Sequence, residues 1–597
     1  MTSSRRDYAE ALPSCALHSP GVCCCPWRLS RLCLAALLTL HSLAYHNRLA
    51  QAAELPVSAG EPDGGCSRPS SGAELSASAE LHGGNGEFHA DLTIRSASDG
   101  QGHLRYCYFD AEGHQAPTLR VRPGDIVYLK LHNGIPAAAT AGHASLRRDP
   151  CANVGMSAAD TNLHFHGLML PPLCHQDETL RTLVHPGDPP FEYRLHIAPD
   201  QPPGLYWYHP HVHGFSEGHL LGGASGAIVV EGIEQLVPEV AQLPERVLIV
   251  RDEWMPAGPP EGPGGPPRPS KQLSVNYVPV RYPEYVPGRI EMRRGAREFW
   301  RVLNASADTY LYLYVEFAGK RQLLGLVARD GVPLVMGNTP ATKRVRETTT
   351  VFMPPGARAE FIVTAPDATT TGRLVTGYVN RGADDDSSVS RPGAPATQLP
   401  DRDTTRPLVA ITVSAGAASA APQRVAMSAI RAPRLAPLAP LPVNRSRALY
   451  FSEAPAADGG TDFFVTENGH APQVFNPNRQ RADITVRQGD VEEWTIENRS
   501  REVHAFHVHQ LHFLVVARSL QRVTEPDLLD TVDVAAWRGF GPYPSITLRM
   551  DFRNPSIVGT FPYHCHIAQH LDGGMMGTVR IMPMARSQGS RTKEPSS

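Results

Sequence analysis

The chain has 597 residues, of which 41% are hydrophobic and 19% charged, and its formal net charge is −3. That length exceeds one ordinary domain and corresponds to about three to four by length alone. A near-balanced charge with no long basic run gives no electrostatic support for binding nucleic acid or an anionic membrane surface. The 55 prolines and 51 glycines, set among short Val/Thr/Tyr/Ile-rich segments, predict an all-β chain with many turns.

At the N-terminus, Arg28 and Arg31 precede an apolar run over residues 32–45, broken by Thr39, His41 and Ser42, and Ala50-Gln51-Ala52 follows as a small-x-small cleavage pattern. The run is too short to span a bilayer comfortably. Residues 1–53 therefore read as an export leader, with a periplasmic or extracellular mature chain that has no membrane anchor. The 27 residues ahead of Arg28 are long for the charged part of a leader, which points to a start downstream of Met1. Arg5-Arg6 lacks the apolar run directly behind it that a twin-arginine signal needs. Cys23, Cys24 and Cys25 leave with the leader.

Residues 54–85 are expected to be a flexible segment. After them, three stretches share one plan of strand, turn at Gly, strand and closing Asn: 119–133 (LRVRPGDIVYLKLHN), 290–304 (IEMRRGAREFWRVLN) and 484–498 (ITVRQGDVEEWTIEN). In each, the Gly (Gly124, Gly295, Gly489) stands nine residues before the Asn. Such repeats count domains, and strand alternation with this turn spacing makes each unit a β-sandwich. The expected boundaries are 86–235 for the first unit, 236–413 for the second, an Ala/Pro-rich linker over 414–442, 443–584 for the third, and a disordered polar tail over 585–597.

Histidine pairs mark the first and third units. They are His164-Phe-His166, His209-Pro-His211, His507-Val-His509 and His564-Cys565-His566, the last followed by His570, Met575 and Met576. Alternate side chains of a strand point to opposite faces, so His564 and His566 share one face and Cys565 takes the other. One strand then serves two metal centres. On the Cys565 side, His570 and Met575 return through a loop and need one more His to complete a His2Cys set with a weak axial thioether, the donor set of a blue-copper centre. His504 stands three residues before His507, out of phase with it, and is the natural fourth ligand. A lone His-x-His pair is as well explained by chance or a surface zinc site; four pairs, one flanking a Cys, are not. The motif Gly-x-Tyr/Phe-x-Tyr-His-x-His occurs at 204–211 and 559–566, while its middle counterpart near 372–379 has no His, nor does 310–317. The middle unit is expected to be a copper-free spacer.

On these motifs the chain resembles the multicopper oxidases, the family of laccase, bilirubin oxidase and ascorbate oxidase, in the bacterial three-domain form, over nearly all residues after about 85 and with no ligand missing. The resemblance implies three tandem cupredoxin-like Greek-key β-sandwich domains and four copper ions. It implies that His504, Cys565, His570 and Met575 hold the type 1 copper and that His164 and His507 hold the type 2 copper. His166, His209 and His566 would hold one type 3 copper; His211, His509 and His564 would hold the other. Parity alone does not separate type 2 from type 3 ligands. The implied activity is laccase-like: a donor, expected to be a phenol or aromatic amine, loses single electrons at the type 1 copper, and O2 is reduced to water. The alternative is a metallo-oxidase for Cu(I) or Mn(II). That activity would want a Met-rich or carboxylate-rich loop, and among 13 methionines only Met575-Met576 cluster. A mere copper carrier would need no His164, His166, His209 or His211.

Proton supply needs carboxylates. Asp177 lies thirteen residues after His164, a spacing that resembles the acidic residue of laccases, and Asp530 is a second candidate. Leu571 occupies the position after His570 where many bacterial relatives carry Glu. Outside the leader remain Cys66, Cys107, Cys151, Cys174 and Cys565; the first four are expected to form two disulfides in one of three pairings, with Cys151–Cys174 the favoured pair and free buried thiols the alternative. His175, His213, His219 and His512 read as surplus histidines, and Trp207 as packing beneath the His209 strand.

Overall fold

The computed structural model describes residues 65–137, 149–152, 155–256, 268–337, 344–382, 403–416, 438–457, 459–479, 481–519, 521–523 and 525–584. The leader, most of the 414–442 linker, the acidic and proline-rich stretch 383–400 and the tail lie outside these residues. Among the described residues there are six β-sheets, of five and four strands up to Val230, eight and six strands from Glu245 to Ser414, and seven and five strands from Arg445 to Met582. Each pair of sheets encloses its own core: Phe88, Leu129 and Tyr193 in the first, Leu248, Trp300 and Phe361 in the second, Phe451, Trp494 and Phe506 in the third. This is the sandwich architecture the alternating strands require.

The sequence repeats are the corners of these sandwiches. In each, the first strand (Thr118–Val121, Gly288–Arg293, Ile484–Arg487) belongs to one sheet and the second (Ile126–Asn133, Arg297–Asn304, Val491–Asn498) to the other. Gly489 turns the chain at φ +106°, a conformation L side chains resist. The closing Asn has a common task. Asn133, Asn304 and Asn498 each accept a backbone N–H two residues on and donate through Nδ2 to loop carbonyls, as Asn304 does to Thr309, Met353 and Pro354 at 3.0 Å. These bonds satisfy carbonyls that leave the sheets.

The strand order repeats as well. Thr118–Val121, Gly226–Val230, Gly204–His209 and His164–His166 run across one sheet of the first unit, and Ile484–Arg487, Met576–Met582, Gly559–Cys565 and His504–Val508 across the matching sheet of the third. The middle unit repeats the order with Gly288–Arg293, Arg406–Ser414, Thr370–Thr376 and Leu311–Phe317. It has the strands of a histidine site without the histidines.

Residues 65–85, expected to be flexible, are tied down. Cys66 is bonded to Cys107, Arg68 pairs with Glu253 at 2.8 Å and lies over the Tyr277 ring, and Glu80–His82 adds a parallel edge strand to Thr118–Val121. Composition alone gave no sign of this, because the anchors lie up to 209 residues away in Tyr277. The second disulfide joins Cys151 to Cys174, and Cys565 is a free, buried thiol.

Candidate metal centres

Register decides which histidines meet. The strand His504–Val508 lies antiparallel to Gly559–Cys565, with His507 opposite His564 and Phe506 opposite Cys565; in the first unit His164 lies opposite His209. Parity then places His504 with Cys565 and sends His507, His509, His564 and His566 to the other face, where they meet His164, His166, His209 and His211. All eight are at most 3% exposed. Their nitrogens gather in three groups, His166 with His209 and His566, His211 with His509 and His564, and His164 with His166 and His507, each within 4.8 Å.

Partners outside this cluster fix the rings. His164 Nδ1 lies 3.0 Å from an oxygen of buried Asp177, which also accepts Phe165 N–H and a Gln510 amide hydrogen. His209 Nδ1 donates to the Pro210 carbonyl at 2.9 Å, His507 Nδ1 to that of Asp530 at 2.8 Å and His564 Nδ1 to that of Cys565 at 2.8 Å. Each such bond leaves Nε2 with its lone pair directed inward. For His164, His209 and His507 that buried Nε2 has no protein partner. An unsatisfied buried polar atom costs about 1–3 kcal/mol, and metal coordination removes that cost. Burial, reinforced by the neighbouring imidazoles, pushes His166, His209, His211, His507, His509 and His566 well below the ordinary histidine value; burial drives His564 down to about 3. Neutral imidazole is the form that binds metal.

The opposite face is biased the other way. Cys565 Sγ lies 3.6 Å from Nδ1 of both His504 and His570, and these two nitrogens are 3.1 Å apart. Burial pushes the thiol up, but hydrogen bonds from His504 and His570 outweigh it and hold Cys565 at about 6. Each imidazole has a carboxylate behind it: Glu453 lies 3.3 Å from His504 Nε2, which also meets Ser500 Oγ at 2.7 Å, and Glu502 lies 3.1 Å from His570 Nε2. Burial lowers His570, yet the bonds to Cys565 and Glu502 raise it well above its ordinary value. His570 sits on the short helix Ala568–Asp572 and stacks on Phe463 at 4.3 Å. Met575 is fully buried, its N–H bonded to the His570 carbonyl and its carbonyl to Cys565 N–H.

Asp530 stands behind the eight-histidine cluster, one oxygen 3.2 Å from His166 Nε2. Of the surplus histidines, His175, His213 and His219 keep to packing and loop contacts, but His512 lies 3.6 Å from Asp530. Trp207 packs against His209 at 4.1 Å. Sequence reasoning missed Glu453, Ser500, Glu502 and Gln510. Glu502 shares strand parity with His504 and was the findable one; Glu453 lies on another strand with no local signal.

Two family models described as multicopper oxidase match the chain, one over residues 154–235 and one over residues 456–585, which together hold all twelve residues of the two clusters. The chain carries multicopper oxidase domains over both segments. The multicopper oxidase mco of Staphylococcus aureus is 23% identical over 480 residues, 78% of this chain and 81% of that protein. The structure of a multicopper oxidase from Campylobacter jejuni, described as a metallo-oxidase, superposes with a TM-score of 0.57 at 20% identity, covering 86% of this chain and 96% of that one. A laccase-like multicopper oxidase from Ochrobactrum sp., described as active towards lignin model compounds, gives 0.55 at 18% identity, covering 85% and 100%. The fold is thus that of cupredoxin-type multicopper oxidases. Multicopper oxidases are oxidoreductases that use copper and O2. The donor sets fit copper: neutral buried imidazoles on one face and a His2Cys group with a buried thioether residue on the other.

Proposed function

We propose that the protein is an exported oxidase that takes single electrons from a small donor at His504, Cys565, His570 and Met575 and delivers them to the eight-histidine cluster, with four coppers in all and the ligand division the resemblance implies. When bound, copper supplies the one-electron acceptor on the Cys565 face and the four-electron reduction of O2 to two waters on the other. One observation carries this reading: the strand Gly559–Cys565 and the two residues around its end place a thiolate on one face and His564 and His566 on the other, with His564 Nδ1–H bonded to the Cys565 carbonyl at 2.8 Å. The link between the faces is therefore one residue of chain plus one hydrogen bond.

The chain's own residues do the rest. Burial shields all eight imidazoles from bulk solvent. Asp177 and Asp530 are the carboxylates placed to hold or pass protons at His164 and His166, since Leu571 offers none. Two disulfides and the leader-like N-terminus support export to an oxidising compartment. Among the described residues no helix is long and apolar enough to cross a membrane.

The laccase-like reading, with a phenol or aromatic amine as donor, is supported by the likeness to the Ochrobactrum protein. A specific observation favours the second reading, a metal-ion donor. His504 and His570 are 0% and 1% exposed, whereas the carboxylates on their outer nitrogens, Glu453 and Glu502, are 21% and 26% exposed. A donor arriving from solvent meets carboxylate before imidazole, which suits a cation better than an aromatic ring. The test is oxygen uptake by the copper-loaded protein with phenols, Mn(II) and Cu(I) side by side. Uptake with four donor electrons per O2 and no accumulated peroxide is expected; blue absorption without uptake from any donor would sink the oxidase reading.

A further inference from the structure

The middle unit reaches Asp530, behind the eight-histidine cluster, with a buried side chain. Arg358 opens the strand Arg358–Thr364, is 0% exposed, and uses all five of its N–H donors. Its guanidinium forks onto Asp530, Nη1 to Oδ1 at 2.8 Å and Nη2 to Oδ2 at 2.6 Å. The remaining donors reach the carbonyls of Gly356 (3.1 Å) and Asp330 (2.8 Å) in the middle unit and of Leu205 (3.2 Å) on the strand that carries His209. Arg358 thus touches all three units at once.

What Arg358 holds is itself placed on the cluster. Asp530 Oδ1 is 3.2 Å from His166 Nε2, and the Asp530 carbonyl accepts His507 Nδ1–H at 2.8 Å. Asp330 fastens the other side, its carboxylate accepting the N–H groups of Arg358, Asp530 and Thr531. Space around the fork is closed: a Cβ on Gly167, the residue after His166, would collide with both Arg358 and Asp530, and a Cβ on Gly356 would lie 2.8 Å from His566 Nε2. A bidentate guanidinium fixes the plane of a carboxylate, which a lysine point charge does not.

We propose that Arg358 is a positioning residue for the oxygen-reducing cluster, acting through Asp530 to hold His166 and His507 in the tautomer and orientation that bind metal. The unit expected to be a copper-free spacer then supplies part of the copper site's frame. This inference rests on the copper reading above. Loss of an outer partner of a metal ligand lowers metal affinity about 10–100-fold, and the Cys565 cluster, which shares no hydrogen bond with Arg358, provides an internal control.

The experiment compares wild type, Arg358→Met and Arg358→Lys for copper bound per chain under competing chelator, for the type 2 signal in electron paramagnetic resonance, and for blue absorption. Both variants are expected to keep the blue band while affinity at the eight-histidine cluster falls about 10–100-fold and the type 2 signal weakens or changes shape. Wild-type copper content and signal in Arg358→Met overturn the proposal. Full recovery in Arg358→Lys also overturns it, by reducing the role to charge alone, and joint loss of the blue band overturns it by making Arg358 a residue of the fold in general. Failure of the wild type to bind copper would sink the functional reading instead.

Discussion

The two faces of the strand ending at Cys565 hold the same residue type in opposite electrostatic states. On one face His504 and His570 are raised, because the Cys565 thiol and the Glu453 and Glu502 carboxylates more than offset their burial. On the other face burial and imidazole neighbours drive His166 and His507 down, and the carboxylates Asp177 and Asp530 bond only to outer sides of the rings. The difference shows how one strand serves two purposes. Anionic partners make the first face a compact electron acceptor whose charge is balanced within the protein; their absence from the second interior leaves inward lone pairs that only cations satisfy.

The comparison breaks first at the shared residue. Cys565→Ser is expected to abolish blue absorption and reduce donor oxidation to background, while the eight-histidine cluster keeps its copper, as metal analysis and electron paramagnetic resonance would reveal. Loss of copper from both faces would mean that they are not separable sites.

The next effect concerns pH. Histidines depressed in the fold and ordinary when unfolded, near 6.5, make the unfolded chain bind more protons between those values, so stability falls as pH falls. For chelator-treated protein, urea unfolding should show stability declining from about pH 6.5 down to the His564 value of about 3. A flat profile over that window would contradict the neutral-imidazole description.

Asp177→Asn keeps the shape but removes the charge behind His164, and should cost the second face about 10–100-fold in copper affinity or oxygen turnover with the blue band intact. Glu502→Gln tests the first face at its rim. If metal ions are the donors, KM for Mn(II) or Cu(I) rises about tenfold, ~1.4 kcal/mol, with phenol kinetics little changed; the reverse pattern would favour the organic donor.

Much of this was legible in the chain. Strand parity correctly separated His504 from His507 and His509, and the three Gly-to-Asn repeats marked the sandwich corners, because alternation and turn chemistry are local properties. The carboxylates at the outer nitrogens of His504 and His570 were not legible. Glu453 lies 51 residues from His504, on the strand Arg445–Pro455, and nothing in its surroundings distinguishes it from a solvated strand charge. The anchoring of residues 65–85 escaped for the same reason: Cys66 and Arg68 find their partners across a fold, not along a segment.

By itself the sequence determined the inventory and the faces: which strands carry imidazoles, that Cys565 opposes His564 and His566, and that the middle unit lacks histidine. Those follow from a two-residue period that the backbone enforces wherever the strand lies. Only the tertiary structure decided what stands behind each ligand. The Arg358 to Asp530 fork joins residues 172 positions apart, the Gln510 to Asp177 bond 333 apart and the His166 to His566 approach 400 apart. Such contacts are set by how three sandwiches pack, and no local pattern of residues encodes them.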